Sequence, residues 1–352
     1  MTDTTPTTMR AVVHETFAEP ADVLEVQERP VPTPGAGEVL VRTVLSPIHN
    51  HDLWTVRGTY GFKPELPAAS GTEALGVVEA LGEGVTNLQV GQRVAGGAFG
   101  VWAEYYTANA AGLVPVPDAM TDEAAAQLVS MPFSAISLLH SLDLHEGDWI
   151  IQNAANGAVG RMVAQLGAAR GINVIGLVRR AAGVDELREQ GIERIVATDA
   201  DDWQDQVAAI TGGAPIIAGV ESVGGKAAGD IASVLGENAT LVVFGAMASP
   251  TLEIPSGKVI FGQLTVKGFW GSVVSKTMPG ETKGQLFGEL IARVLDGSLT
   301  LPVAETFAFE QVRDAVRASD TATGLPSVFP ASTAGTRVGR QVARQPPTTW
   351  MP

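Results

Sequence analysis

Apolar and polar residues alternate over short stretches in the first third of the chain, with proline and glycine between them. Residues 38–44 and 74–80 show this period of two clearly, and Pro34 and Gly35 form one of the breaks. Such alternation is typical of strands with one buried face. It predicts a strand-rich domain over residues 1–122, and Thr121, followed by two acids, predicts the start of a helix.

From about residue 148 onward, short apolar runs alternate with amphipathic helical patterns. This order predicts a doubly wound parallel sheet, and we assign residues 123–295 to that domain. A helix is expected over 283–297, and residues 296–320 are expected to return to the first domain, with a strand at 301–303. The predicted strands of the sheet lie near residues 149–151, 173–178, 194–196, 215–220, 239–244 and 264–269.

A small-residue turn follows the first of these strands. Residues 154–160 contain Gly157 and Gly160, and the next helix begins at about Ala158. Glycines at this spacing let the backbone approach a pyrophosphate, and the helix start offers free N–H groups to it. The first glycine of the usual motif is replaced by Ala154, so tight packing of helix on strand is the alternative interpretation. We expect Asn156, Gly157, Ala158, Val159 and Gly160 to bind the dinucleotide.

The strand at 173–178 ends in Arg179 and Arg180. An acidic residue at such a strand end binds the ribose hydroxyl of NAD, whereas arginine accommodates the 2′-phosphate of NADP. The pair therefore predicts NADPH as cofactor. Two solvated charges at a strand end are the alternative.

Composition narrows the possible functions. The net charge of −15 argues against nucleic acid as a partner, and no apolar run is long enough for a membrane span. The chain contains no cysteine, which excludes disulfides, thiolate nucleophiles and cysteine-ligated zinc. The first eight residues resemble neither a signal nor a transit peptide, so a cytoplasmic location is expected. Residues 321–352 are rich in Thr, Pro, Gly and Ser and are expected to be mostly disordered.

Several local motifs together resemble the medium-chain dehydrogenase/reductase superfamily over residues 9–318. They are the segments at 57–61 (Arg-Gly-Thr-Tyr-Gly), 152–156 (Gln-Asn-Ala-Ala-Asn), 222–226, 244–248 and 267–270 (Lys-Gly-Phe-Trp). The branch that they resemble most is that of the zinc-free, NADPH-dependent 2-enoyl thioester reductases, with quinone reductases beside it. The resemblance implies a GroES-like catalytic domain joined to a Rossmann-type domain. It also implies small-molecule substrates and, as in many relatives, a homodimer formed through an edge strand of the nucleotide-binding domain.

The same resemblance implies that Tyr60 is the catalytic residue. A tyrosine hydroxyl carries its proton at neutral pH and can protonate the α-carbon after hydride transfer to the β-carbon. The alternative is an ordinary aromatic residue in a turn between Gly58 and Gly61. Further cofactor contacts are implied at Gly245, Ala246, Met247, Phe269 and Trp270. Substrate-pocket positions are implied at Asn50, Met131, Pro132 and Phe133.

Zinc-dependent members of the superfamily hold their metal near the positions of His49, His51 and Glu73. On an extended strand the two histidines would point in opposite directions, which argues against a zinc site. We therefore expect no metal, with one histidine lining the pocket and the other packed against backbone.

The C-terminal segment departs from the family pattern. Relatives close with a strand that pairs with the first domain, and here only residues 327–329, between two prolines, could form one. We expect that pairing to be missing and the stability to be lower for it.

The leading hypothesis is an NADPH-dependent reductase that acts on the C=C bond of 2-enoyl thioesters or related enones. A quinone reductase is the second hypothesis. A protein that binds NADPH as a sensor, without catalysis, is the third.

Overall fold

The computed structural model describes residues 5–321 and 327–329. The strands are β1 (Thr8–His14), β2 (Glu25–Pro30), β3 (Glu38–Pro47), β4 (Ala68–Ala69), β5 (Ala74–Leu81), β6 (Arg93–Gly96), β7 (Tyr105–Asn109), β8 (Val114–Pro115), β9 (Trp149–Gln152), β10 (Asn173–Val178), β11 (Ile195–Ala197), β12 (Ile216–Glu221), β13 (Thr240–Val243), β14 (Thr265–Gly268), β15 (Glu305–Thr306) and β16 (Ser327–Phe329). The α-helices are α1 (Pro20–Val23), α2 (Asn50–Arg57), α3 (Asp122–Ala126), α4 (Met131–His140), α5 (Ala158–Ala169), α6 (Ala182–Arg188), α7 (Trp203–Thr211), α8 (Lys226–Val234), α9 (Ser256–Phe261), α10 (Gly271–Thr277), α11 (Gly280–Leu295) and α12 (Val312–Thr321).

The first domain is built on antiparallel pairing of its long strands. β3 pairs with β5 and β7, and β1 pairs with β2 and β4, all antiparallel. The buried faces of these strands pack around Val41, Trp102 and Phe309. Phe309 follows the second domain in the chain and packs in the core of the first domain.

The second domain contains six strands in the order β11-β10-β9-β12-β13-β14, and each neighbouring pair is parallel. Counted from β9, this is the strand order of a doubly wound nucleotide-binding fold. The central strands are apolar on both faces, as a sheet covered by helices requires. The order reverses between β9 and β12, and ligands of such folds bind at the carboxyl ends of the strands there. The predicted fold class is confirmed.

Two predictions about the C-terminal part are wrong. Residues 301–303 form no strand, since Pro302 has no N–H to donate, and β15 (Glu305–Thr306) takes that place. Ser327–Phe329 does form a strand, which pairs with both β15 and β3. Val328 is completely buried against the core between the domains. The pairing expected to be missing is therefore present, and the remainder of the predicted tail lies outside the described residues.

None of the described helices combines the length and the apolar character needed to cross a membrane.

Thr121 caps α3 through its hydroxyl, which accepts from Ala124 N at 3.3 Å. The helix start predicted there is confirmed.

Candidate active site

A cleft of about 2080 Å³ lies between the two domains. Single ligand pockets usually measure roughly 300–1000 Å³, so this space can hold a dinucleotide and a second molecule together. The predicted site residues that line it are Asn50, Tyr60, Met131, Phe133, Asn156, Gly157, Ala158, Val159, Gly160, Arg179, Arg180, Gly245, Met247, Phe269 and Trp270. Ala246 and Pro132 do not line it. Ala246 instead points into solvent, and Pro132 is buried in the first turn of α4.

The glycine turn joins β9 to α5 as the sequence predicts. Gly157 precedes the helix in an extended conformation, and α5 begins at Ala158. A Cβ on Gly160 would lie 2.6 Å from the carbonyl oxygen of Ala154, so only glycine allows the helix to approach the turn this closely. The first turn of α5 carries no acidic residue, which leaves its N–H groups and the positive end of its dipole available to an anion.

Arg161 stabilises this turn and was not predicted from the sequence. Its buried side chain donates to the carbonyl of Asn156 at 2.9 Å and forms an ion pair with Glu186 at 2.6 Å. Arg161 lies one residue beyond the glycine motif, so the sequence pattern does not distinguish it from an ordinary helix residue. Its role is to fix the backbone that would contact the dinucleotide.

Arg179 and Arg180 follow β10 directly and are exposed at the cleft. Over the described part of the chain, neither forms an ion pair or a side-chain hydrogen bond. Their charges are therefore available to a phosphate.

Tyr60 lies just past the end of α2. Gly58 ends that helix in the left-handed conformation (φ 72°), and the N–H of Tyr60 donates to the carbonyl of Trp54 at 3.2 Å. A Cβ on Gly61 would lie 3.6 Å from the indole of Trp270, so the loop that carries Tyr60 contacts the second domain across the cleft. Tyr60 and Trp270, which the resemblance assigns to chemistry and to nicotinamide contact, thus line the same cleft.

Trp270 and Phe269 have different surroundings. Trp270 is 51% exposed, whereas Phe269 is buried against Phe244 with ring centroids 5.9 Å apart. Phe133 stacks on Phe287 of α11 at 4.6 Å and forms an apolar wall of the cleft.

The prediction that His49 and His51 lie on an extended strand, with only one of them lining the pocket, is wrong. The segment is the start of α2 and not a strand, and the imidazole rings stack with centroids 5.0 Å apart. Both histidines line the cleft, and the ring of His51 lies 5.9 Å from that of Tyr60. Asp52 stabilises this helix start by accepting from His49 N at 2.9 Å, a capping interaction that outweighs the extended appearance of the sequence.

A buried hydrogen-bond network connects these histidines to both domains. Glu73 accepts from His49 Nε2 at 2.5 Å, and its other oxygen accepts from the backbone N–H groups of Val129 and Ser130. Thr72 donates to Asp52 at 2.6 Å and therefore accepts from His51 Nε2 at 2.7 Å. The carboxylate of Glu73 thus links the loop before β5 to the start of α4.

The two histidines differ in their titration. Burial opposes the charged form of His49, but the hydrogen bond and charge of Glu73 outweigh it and raise the pKa of His49. Burial lowers the pKa of His51. His51 therefore faces Tyr60 as a neutral ring.

No cluster of three or more metal-ligating side chains occurs in residues 5–321 and 327–329.

Lys276 and Lys283 also line the cleft, and the sequence did not predict this. No local motif surrounds them, because only the packing of α10 and α11 brings them to the cleft.

Two family models match the chain. The first is described as an alcohol dehydrogenase GroES-like domain and matches residues 35–118, and the second is described as a zinc-binding dehydrogenase and matches residues 158–283. These ranges fall in the strand-rich domain and the doubly wound domain, respectively.

Curated relatives match over most of the chain. The mitochondrial enoyl-[acyl-carrier-protein] reductase of Bos taurus is 30% identical over 322 residues, which cover 89% of this chain and 86% of the relative. That of Homo sapiens is 29% identical with the same coverage.

Solved structures share the fold. The Etr1p/Etr2p heterodimer of the mitochondrial 2-enoyl thioester reductase from Candida tropicalis superposes with a TM-score of 0.81 at 26% identity, covering 92% of this chain and 99% of that chain. A mycobacterial quinone oxidoreductase gives 0.82 at 26% identity with the same coverage. A complex of Etr1p with NADP and crotonyl-CoA gives 0.81 at 25%, again with that coverage. The chain therefore belongs to the medium-chain dehydrogenase/reductase superfamily of oxidoreductases, in the family of the mitochondrial enoyl-[acyl-carrier-protein] reductases.

Proposed function

We propose that this protein is an NADPH-dependent reductase of the C=C bond of 2-enoyl thioesters or related enones, with Tyr60 as the proton donor. The observation that carries the proposal is that Tyr60 and Trp270 line one cleft, with Gly61 beside the Trp270 indole, and that this cleft also contains the glycine turn before α5. The relatives named as enoyl reductases, and the Etr1p complex with NADP and crotonyl-CoA, support it.

The residues that would hold NADPH fit that molecule. The open N-terminus of α5 and the close approach at Gly160 suit a pyrophosphate, and Arg179 with Arg180 suits the 2′-phosphate. Gly245, Met247, Phe269 and Trp270 line the same cleft. NADPH supplies the hydride for the β-carbon of the substrate when it is bound.

Tyr60 completes the reduction in this mechanism. As negative charge grows on the carbonyl oxygen of the enolate, the hydroxyl of Tyr60 donates its proton to the α-carbon, and the O–H bond breaks as the C–H bond forms. The resulting tyrosinate takes a proton from solvent before the next turnover. His51 positions the phenol by contact with its ring, and Asn50, Met131 and Phe133 line the substrate side of the cleft.

The second candidate is a quinone reductase. The similarity in fold to the mycobacterial quinone oxidoreductase favours it, and so does the open cleft beside Trp270. The steady-state kcat/KM for crotonyl-coenzyme A and for a benzoquinone, measured with NADPH, separates the two. A higher value for the thioester supports our proposal, and a higher value for the quinone contradicts it. Tight NADPH binding without turnover of either substrate would instead indicate the sensor hypothesis.

We also propose that the protein forms a homodimer through β14. In the described part of the chain this strand pairs with β13 on one side only, and all four of its residues are exposed. The neighbouring α9 buries none of its residues and presents Phe261 at 82% exposure. An exposed, unpaired strand edge beside an exposed phenylalanine is suited to pairing with a second copy. A cytoplasmic location stays a prediction, and the curated relatives are named as mitochondrial.

A further inference from the structure

Most basic side chains of this acidic protein have a partner within the chain. Over residues 5–321 and 327–329, nearly every arginine and lysine pairs with a carboxylate, donates to an oxygen or stacks on an aromatic ring. The five that do not are Arg179, Arg180, Arg188, Lys276 and Lys283. Four of these five, all except Arg188, line the cleft between the domains.

The carboxylates of the cleft do not compensate these charges. Glu186 pairs with Arg161 at 2.6 Å, Asp230 with Lys226 at 2.7 Å and Asp320 with Arg57 at 2.9 Å. Since these are the acidic residues that line the cleft, four positive charges remain unpaired there in a chain of net charge −15. Low-dielectric walls focus such a field, so the cleft is built to collect anions.

The four charges form two groups on different elements. Arg179 and Arg180 follow β10, where the 2′-phosphate of NADPH would lie. Lys276 lies on α10 and Lys283 on the first turn of α11. The proposed cofactor accounts for the first group, and the second group is left for another anionic ligand.

The wall beside Lys283 suits a long, thin molecule. Gly280, Gly284 and Gly288 lie on the cleft-facing side of α11, and a Cβ on any of them would meet nothing within 4 Å. Further along the same face, Phe287 stacks on Phe133. The groove along α11 therefore begins at exposed Lys276 and half-buried Lys283 and continues to an apolar wall.

We propose that Lys276 and Lys283 bind the phosphate of a phosphopantetheine thioester, whose arm lies in the groove along α11. Coenzyme A and acyl carrier protein share this phosphate. The inference rests on the proposed function and deepens it, because a quinone substrate would carry no anion for these lysines. Ammonium groups bind phosphate as mobile point charges, which suits two lysines at a cleft entrance.

Binding measurements test the inference without turnover. Calorimetry would compare coenzyme A, 4′-phosphopantetheine and unphosphorylated pantetheine, with NADP⁺ at saturation, in wild type and in the double variant K276Q/K283Q. We expect the double variant to bind the phosphate-bearing ligands at least about tenfold more weakly, while its affinity for pantetheine is unchanged. R188Q is the matched control, since among residues 5–321 Arg188 is the unpaired cation outside the cleft, and it should leave every affinity as in wild type.

The sources of the phosphate are distinguished in the same experiment. Weakened binding of coenzyme A alone assigns the lysines to its nucleotide phosphates, and weakened binding of both phosphate-bearing ligands assigns them to the phosphate of the arm, which the carrier protein shares. The second result supports the proposal, and the first contradicts it.

Equal weakening of pantetheine, a loss of NADPH affinity in K276Q/K283Q, or no binding of the phosphate-bearing ligands to wild type would overturn it. Failure of wild type to reduce any thioester would count against the proposed function only, since affinity is measured here without a reaction.

Discussion

We infer that the charges at the end of β10 decide which cofactor the protein accepts. Arg179 and Arg180 have no partner in the described chain and lie at the cleft, so a phosphate would provide their first strong contact. Charge-assisted hydrogen bonds of this kind contribute about 1.5–3 kcal/mol each.

We predict that R179A/R180A raises KM for NADPH at least about tenfold and leaves KM for NADH nearly unchanged. Steady-state kinetics with both cofactors measures this. R188A removes an equally exposed charge outside the cleft and should behave as wild type. An equal rise in KM for NADPH and NADH would contradict the assignment.

The buried pair of His49 and Glu73 links stability to pH. The raised pKa of His49 in the folded state means that protonation favours folding. This contribution is fully present below about pH 6.5, the unfolded pKa of histidine, and is lost as pH rises through the folded pKa, by at most about 1.4 kcal/mol per pH unit.

We predict that H49Q removes this alkaline loss of stability, so that its free energy of unfolding varies less between pH 6.5 and 9 than that of wild type. Urea unfolding across that range measures it. H145Q, which changes a histidine whose side chain is 82% exposed, is the control and should retain the wild-type slope. If stability changes with pH in H49Q as it does in wild type over this range, the linkage to His49 is refuted.

At the scale of elements, the approach of α5 to the turn after β9 shapes the proposed cofactor site. A Cβ at residue 160 would contact the backbone of Ala154 and Ala155 at 2.6–2.9 Å, and backbone cannot rotate away as a side chain can. Overpacking of this kind costs about 1–3 kcal/mol.

We predict that G160A lowers the free energy of unfolding by about 1–3 kcal/mol and raises KM for NADPH, because α5 must move away from the turn. Thermal unfolding and kinetics measure the two effects. G257A is the matched control, since its Cβ would have ordinary contacts at 3.7 Å in α9. If G160A matches G257A in both measurements, the close approach has no role.

The turn and α5 could be predicted because glycine spacing, a preceding apolar strand and a following amphipathic helix all lie within one continuous segment. The start of α2 could not, because His49 and His51 alternate like strand residues, and only the capping by Asp52 and the contact of Glu73 show the helix. β16 was missed for a related reason. Three residues carry little local preference, and the strand exists because Val328 fits a buried site that residues far away in sequence create.

At the scale of the whole molecule, the fold class was predictable, and most of the predicted site residues line the cleft, since the superfamily's motifs place them. The unpaired charges of Lys276 and Lys283 were not, because pairing depends on distances that only the fold sets. The exposed edge of the six-stranded sheet is also a property of the whole molecule, since only the complete fold shows what covers β14.

We predict that wild type is a dimer in sedimentation velocity and that V266K/F261S is a monomer at micromolar concentration. Val266, 40% exposed on β14, and Phe261 would both be buried by pairing of two edges, and a lysine on an edge strand disfavours that pairing. V90K changes an exposed valine of the first domain and should leave the dimer intact. A monomeric wild type would contradict the proposed interface.

The central claim is that Tyr60 donates the proton to the α-carbon, and the most direct test is the kcat/KM of Y60F for crotonyl-coenzyme A with NADPH. We predict a loss of at least about tenfold, equivalent to about 1.4 kcal/mol of transition-state stabilisation, with NADPH affinity unchanged. Y105F alters a tyrosine of β7 that does not line the cleft and should retain wild-type activity. If Y60F retains the wild-type kcat/KM, or if a benzoquinone is the better substrate and its reduction is indifferent to Y60F, the account is contradicted.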